Sequence, residues 1–253
     1  MNALLERLQR NQRKGSKPRC HLLTEGSPEL VAERLTSLIA PYGLVTVDDH
    51  WMPKGFKEVE EAQLHNAPRL LPVDRYRRVL ESWWLATANS VSVTPNWDLA
   101  STCTIAGKDG LLLIEAKAHL DELKSKDRCV GSERNFERIG EAIGEANRAL
   151  NVIKDGWRLS HENHYQLCNR FAWSWKLASL GVPVILVYLG FLRANEMQKS
   201  LPDEQSWEDA VRKYAQGIVP ENVWGGAILV DGVPIFPLIR TLEISLDSIA
   251  VPA

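Results

Sequence analysis

Two kinds of apolar pattern, helical spacing and continuous short runs, divide the chain into elements. Leu30, Val31, Leu35, Leu38 and Ile39 repeat at helical intervals behind Ser27-Pro28, a pair suited to an N-cap and first turn, until Pro41 and Gly43 stop the run. A short strand is expected over 44–47, and the Asp48-Asp49-His50 that follows reads as a loop rather than a metal cluster. Residues 52–72 are irregular and punctuated by proline. Helical spacing returns over 73–88, with Val73, Tyr76, Leu80, Trp83 and Thr87 on one side, again over 135–153 (Ile139, Ile143, Ala146, Leu150), and over 162–180. Gly181-Val182-Pro183 then leads into a β-branched apolar run over 184–188, a buried strand. A helix over 206–216 and a hairpin over 224–244, turning at Asp231-Gly232, complete the chain.

The chemistry concentrates in residues 95–117. Leu111, Leu112, Leu113 and Ile114 form an unbroken apolar run that suits a strand buried on both faces, with a tight turn expected at Lys108-Asp109-Gly110. Residues 96–105 read as its antiparallel partner, joined through 106–110, so that Asp98 approaches the end carrying Glu115. Side chains alternate along a strand, and Glu115 and Lys117 therefore share a face. Hard cations such as Mg²⁺ take one or two carboxylates plus waters and phosphates, so Asp98 and Glu115 form a candidate metal shell with Lys117 as the neighbouring cation. A bare Glu-x-Lys arises by chance about once in a chain of this length, and an edge hairpin with a surface Glu-Lys pair is the plain alternative.

Taken together, Pro95, Asp98, Glu115 and Lys117 resemble the motif of the PD-(D/E)XK nuclease superfamily, although Asn96 and Trp97 separate the proline from the acid. The resemblance implies an α/β fold with a restriction-endonuclease-like αβββαβ core at about 73–192, its mixed central sheet flanked by helices. It also implies hydrolysis of phosphodiesters with Mg²⁺ or Mn²⁺, for which Asp98 and Glu115 are the ligands, and DNA stands ahead of RNA as the nucleic acid, with the choice between them open. In that superfamily the helix before the hairpin sometimes lends another acid, for which Glu81 is the candidate, with a solvent-facing glutamate as the alternative. His119 alternates onto the face of Glu115 and Lys117 if the strand continues, or caps the next loop. The helix over 162–180 resembles one carrying Gln-x-x-x-Tyr: Gln166 matches, and Arg170 stands at the tyrosine's position. Gln166 could orient Lys117, Arg170 and Lys176 could contact phosphate, and Trp173 could stack on a base or belong to the core.

Composition adds constraints. The chain has 253 residues, 45% of them hydrophobic, enough for a full core. A net charge of -2 gives no global basic footprint, but residues 7–19 hold Arg7, Arg10, Arg13, Lys14, Lys17 and Arg19 without an acid. This suggests a basic arm over 1–20, in which Arg13 and Lys14 could track a phosphate backbone, ahead of a single domain over 21–253. No apolar run nears the length of a membrane span or signal peptide, so a cytoplasmic protein is expected, with a homodimer or multi-subunit assembly open. The four scattered cysteines, with no C-x-x-C, read as buried thiols rather than a zinc or iron–sulphur site. No P-loop, G-x-G-x-x-G, G-x-S-x-G or H-E-x-x-H is present. The rival to a nuclease is a catalytically inactive module of the same fold that binds nucleic acid or protein.

Overall fold

The structure, a computed structural model, describes residues 4–71, 73–86, 94–124, 129 and 132–246. It is a mixed α/β fold in which an open sheet of six strands carries helices on both faces. The elements are α1 (Ser16–Leu23), α2 (Pro28–Ile39), β1 (Trp51–Met52), α3 (Val73–Trp84), β2 (Leu99–Ile105), β3 (Lys108–Lys117), α4 (Glu133–Ile153), α5 (Tyr165–Ser179), β4 (Val184–Leu192), α6 (Glu204–Ala215), β5 (Ile228–Val230) and β6 (Val233–Glu243). Their order across the sheet is β1-β2-β3-β4-β6-β5. Strand β2 runs antiparallel to both of its neighbours, β1 and β3, while β3, β4 and β6 run parallel and β5 returns antiparallel to β6. The parallel β3–β4 step needs a crossover, which α4 and α5 provide.

The unbroken apolar runs form the middle of this sheet, as their pattern requires. Leu111 and Leu113 pack with α3, α4 and α5 on one face, while Leu112, Ile114 and Ala116 pack with α1 and α2 on the other. Ser27 caps α2 as expected, its Oγ accepting from the Leu30 amide, and Asp231-Gly232 turns the β5–β6 hairpin with both residues at positive φ.

Three local expectations change. The β2–β3 turn is Ala106-Gly107, at φ 50° and 76°, and Lys108 already pairs with Ile105. Gly110 is instead a strand glycine, where a Cβ would lie 2.8 Å from both the Ile105 side chain and the Pro183 carbonyl oxygen. Segment 44–47 contributes only a single bridge, Leu44 to Thr104, and the edge strand is Trp51–Met52. The meander therefore starts well before residue 73, and α3 lies between its first two strands in sequence. Residues 87 and 88 of the expected helix lie outside the described residues.

Gly190 in β4 shows how tightly the sheet end is covered. A Cβ built there lies 2.6 Å from Cγ of Trp207, which is fully buried and donates its Nε1–H to the Tyr188 carbonyl at 3.1 Å. Gly190→Ala must displace that indole, and a loss of about 1–3 kcal/mol is expected from overpacking. Urea denaturation measures it, and an unchanged midpoint would contradict the packing described.

Candidate active site

The site forms where β3 outruns β2. The last β2 pair is Leu99 with Ile114, so the Ala116 amide has no strand partner on that side and donates to Asp98 Oδ2 at 2.8 Å. Asp98 precedes β2 directly and is thereby brought beside Glu115. Glu115 is 1% exposed and Lys117 6%, and the Lys117 ammonium donates to Glu115 Oε1. The other oxygen, Oε2, accepts from Arg170 Nε at 2.7 Å and lies 2.6 Å from Nη2.

Arg170 comes from α5, and its remaining contacts explain why Trp97 is buried. Its Nη2 donates to the Asn96 carbonyl at 2.6 Å, Nη1 to Asn169 Oδ1 at 3.1 Å, and the guanidinium lies 4.3 Å over the Trp97 ring. One cation thus ties α5, β3 and the segment entering β2 together. Buried ion pairs are costly to desolvate, and a triad of this kind is weak evidence for stability alone.

The two acids are held at opposite ends of the carboxylate range. Burial alone would raise the Glu115 carboxyl, but Lys117 and Arg170 outweigh it and hold it at about 2. Asp98 is pushed up to about 7 by desolvation and by Glu115, which Lys117 and the Ala116 amide only partly offset, and Glu61 adds to the rise. Lys117 is disfavoured as a cation by burial, yet Glu115 and Asp98 carry its pKa above the ordinary lysine value. It is therefore a fixed positive charge at neutral pH.

Asp98, Glu115 and Lys117 are brought together as the sequence suggested, and the other candidates fare differently. Arg170 enters the site as the buried partner of Glu115, at 4% exposure, and is not open to phosphate. The Gln166 side chain, half-buried on α5, makes no hydrogen bond among the described residues. Glu81 lies 3.6 Å from Arg77 and 3.7 Å from His65. His119 leaves the β3 pattern, because the strand ends at Lys117: it bridges to Ser200 and lies 3.5 Å from Glu122. Lys176 pairs with Glu145 at 3.4 Å and lies over Trp83 and Trp175. Trp173 is fully buried edge-on to Trp83 and Trp84, a core residue with no face for a base.

The basic N-terminal segment is docked rather than extended. Two short 3-10 turns, Leu5–Arg7 and Arg10–Gln12, form its first part, and α1 begins at Ser16. Arg13 is spent on the Leu8 and Glu6 carbonyls, at 2.9 and 3.0 Å, while Lys14 stays exposed. Arg19, 1% exposed, makes a bidentate pair with Glu196. Sequence reasoning missed Glu61, which the Ala62–Trp97 bridge sets opposite Asp98, and its pairing with Lys17 of the basic segment. Nothing local to the Glu60-Glu61-Ala62 stretch marks it, since only long-range pairing of Ala62 with Trp97 brings it there.

By ligand type Asp98 and Glu115 are the two carboxylates here that could hold a hard divalent ion, and both Glu115 oxygens are paired with cations. Burial, and after it the charge of Glu115, raises Asp98 to about 7, and its Oδ1 has no hydrogen-bond partner among the described residues. Among those residues no group of three or more His, Cys, Asp or Glu is arranged to hold a metal. The four cysteines are free and buried, and among the described residues no helix is long and apolar enough to cross a membrane. Comparison with protein-family models, curated proteins and solved structures yields no match to this chain.

Proposed function

We propose that the chain is a divalent-metal-dependent phosphodiesterase that hydrolyses nucleic acid, DNA rather than RNA, on a restriction-endonuclease-like core. The observation that carries the reading is the convergence of Asp98, at about 7, with the Glu115–Lys117 pair at the open end of the β2–β3 hairpin. The strand directions support it as well: an antiparallel meander, a helical crossover and a fourth strand parallel to the third agree with the αβββαβ order that the PD-(D/E)XK motif implies. In this arrangement α2 is the leading helix and residues 53–98 are an insertion before the second core strand.

Mg²⁺ or Mn²⁺ bound by Asp98 and Glu115 would supply a nucleophile derived from water near neutral pH and screen charge gathering on the phosphoryl oxygens. Lys117, a permanent cation in this setting, orients and stabilises negative charge rather than accepting a proton. Arg170 holds Glu115 and the backbone of Asn96 in register, so the two acids keep their separation. The inactive-module reading draws on one observation, that Glu115 already has a cation on each oxygen.

Calorimetric titration with Mn²⁺ separates the two. The enzyme reading expects binding that is lost in Asp98→Ala/Glu115→Ala, metal-dependent cleavage of DNA, and proton release on binding near pH 7 as the ion displaces the proton held by Asp98. Repeating the titration in buffers of different ionisation enthalpy measures that release. Absence of binding with DNA present would favour the inactive module.

A further inference from the structure

The Ala62–Trp97 bridge lays segment 61–63 antiparallel beside 96–98, with the Trp97 amide donating to the Ala62 carbonyl at 3.0 Å. Glu61 therefore stands opposite Asp98, and the β2–β3 register carries the row on to Glu115. Three carboxylates follow one another across adjacent segments, an arrangement that repels itself and repels any polyanion. Besides the metal ion, a substrate phosphate beside this row needs a side-chain cation facing it. Lys117 and Arg170 are buried and committed to Glu115. Arg13 and Arg19 are spent on carbonyls and on Glu196 respectively.

Lys17 is different. Its Nζ donates to Glu61 Oε1 at 2.9 Å while 26% of its side chain remains exposed. An ammonium has three N–H donors, and among the described residues this bond is the only one Lys17 makes. Glu61 is itself held, its Oε2 accepting from Asn96 Nδ2 at 2.9 Å, and Asn96 is the residue whose carbonyl receives Arg170. The helix that carries Lys17 is anchored on both sides of it, before it by the Gly15 amide donating to Glu196 at 3.2 Å and after it through Arg19 to Glu196 and His21 to the Gly55 carbonyl at 2.9 Å. A lysine on a fixed helix, tethered to Glu61 with donors to spare, is placed to receive an anion without surrendering its partner.

We propose that Lys17 binds a phosphate of the nucleic-acid substrate beside Asp98, with Glu61 as its positioning residue. The inference rests on the phosphodiesterase reading above and selects one cation from the six basic residues of 7–19.

The test uses the full chain and a short fluorescein-labelled DNA duplex, with Lys17→Met and Lys17→Gln as neutral variants, Lys17→Arg as the conservative one and Glu61→Gln as the untethered one. Anisotropy in EDTA measures binding across a range of salt, and cleavage of the same duplex in Mg²⁺ gives KM and kcat. Both neutral variants should weaken binding about tenfold and lower the slope of log Kd against log salt by about one, with the loss in KM rather than kcat. Lys17→Arg should restore the slope, and Glu61→Gln should raise KM while leaving the slope intact. A slope unchanged in both neutral variants, or an arginine variant as impaired as they are, overturns the role of Lys17 while leaving a cleaving wild type, and so the proposed activity, untouched. A wild type that shows no metal-dependent cleavage overturns both.

Discussion

Asp98→Asn is expected to abolish cleavage and yet make the fold more stable at pH 8. The activity loss, at least about 10²–10³-fold, follows from removing a charged group from the reacting centre while the amide oxygen still accepts from Ala116. The stability gain follows from the pKa. Folding raises the Asp98 carboxyl from the usual value near 3.8 to about 7, so the folded state binds the proton more tightly than the unfolded one. Its contribution is then most favourable below pH 4 and is lost as pH rises through 7. At pH 8 the ionised aspartate burdens the fold by about 2–4 kcal/mol, after allowance for its partial exposure to solvent. The asparagine variant should therefore melt higher than the wild type at pH 8, with the difference closing near pH 4. Retained cleavage would remove Asp98 from the site. Lost cleavage without the pH-dependent stability gain would mean that burial and Glu115 do not raise the Asp98 carboxyl as described.

Arg170→Met should destabilise strongly, by about 3–5 kcal/mol at pH 7, because Glu115 stays buried with one cation instead of two. The sign with pH is opposite to that of Asp98. Lys117 and Arg170 hold Glu115 at about 2, below its ordinary value, so its stabilising contribution is present above about pH 4.5 and is lost as pH falls toward 2. Without Arg170 the carboxyl moves up and much of that acid-sensitive stability is already gone. The gap between wild type and variant, read from urea midpoints, should be wide at pH 7 and narrower at pH 3. An equal gap at both pH values would assign the loss to packing against Trp97 rather than to charge.

Several features were legible because their physical cause is local. The cap at Ser27, the turn at Asp231-Gly232 and the buried strand over 111–114 each depend on a few consecutive residues, and each formed as read. Glu115 and Lys117 share a face for the same reason, since alternation along one strand needs no other segment. The turn at 106–107 was misplaced because Gly110 looks like a turn glycine, whereas its lack of a side chain serves the close approach of Ile105 and Pro183. Arg170 looked like a phosphate ligand because a helix surface was assumed for it, and α5 is buried from Leu167 to Ser174.

Sequence by itself determined the α/β class, the central strands and the pairing of Glu115 with Lys117, since these follow from periodicity over a handful of neighbours. Only the tertiary structure decided that Arg170, 55 residues further on, would neutralise Glu115, and that Glu61 and Lys17 would stand beside Asp98. Those contacts depend on which strands pair and which helix covers them, and long-range pairing leaves no mark on the residues between.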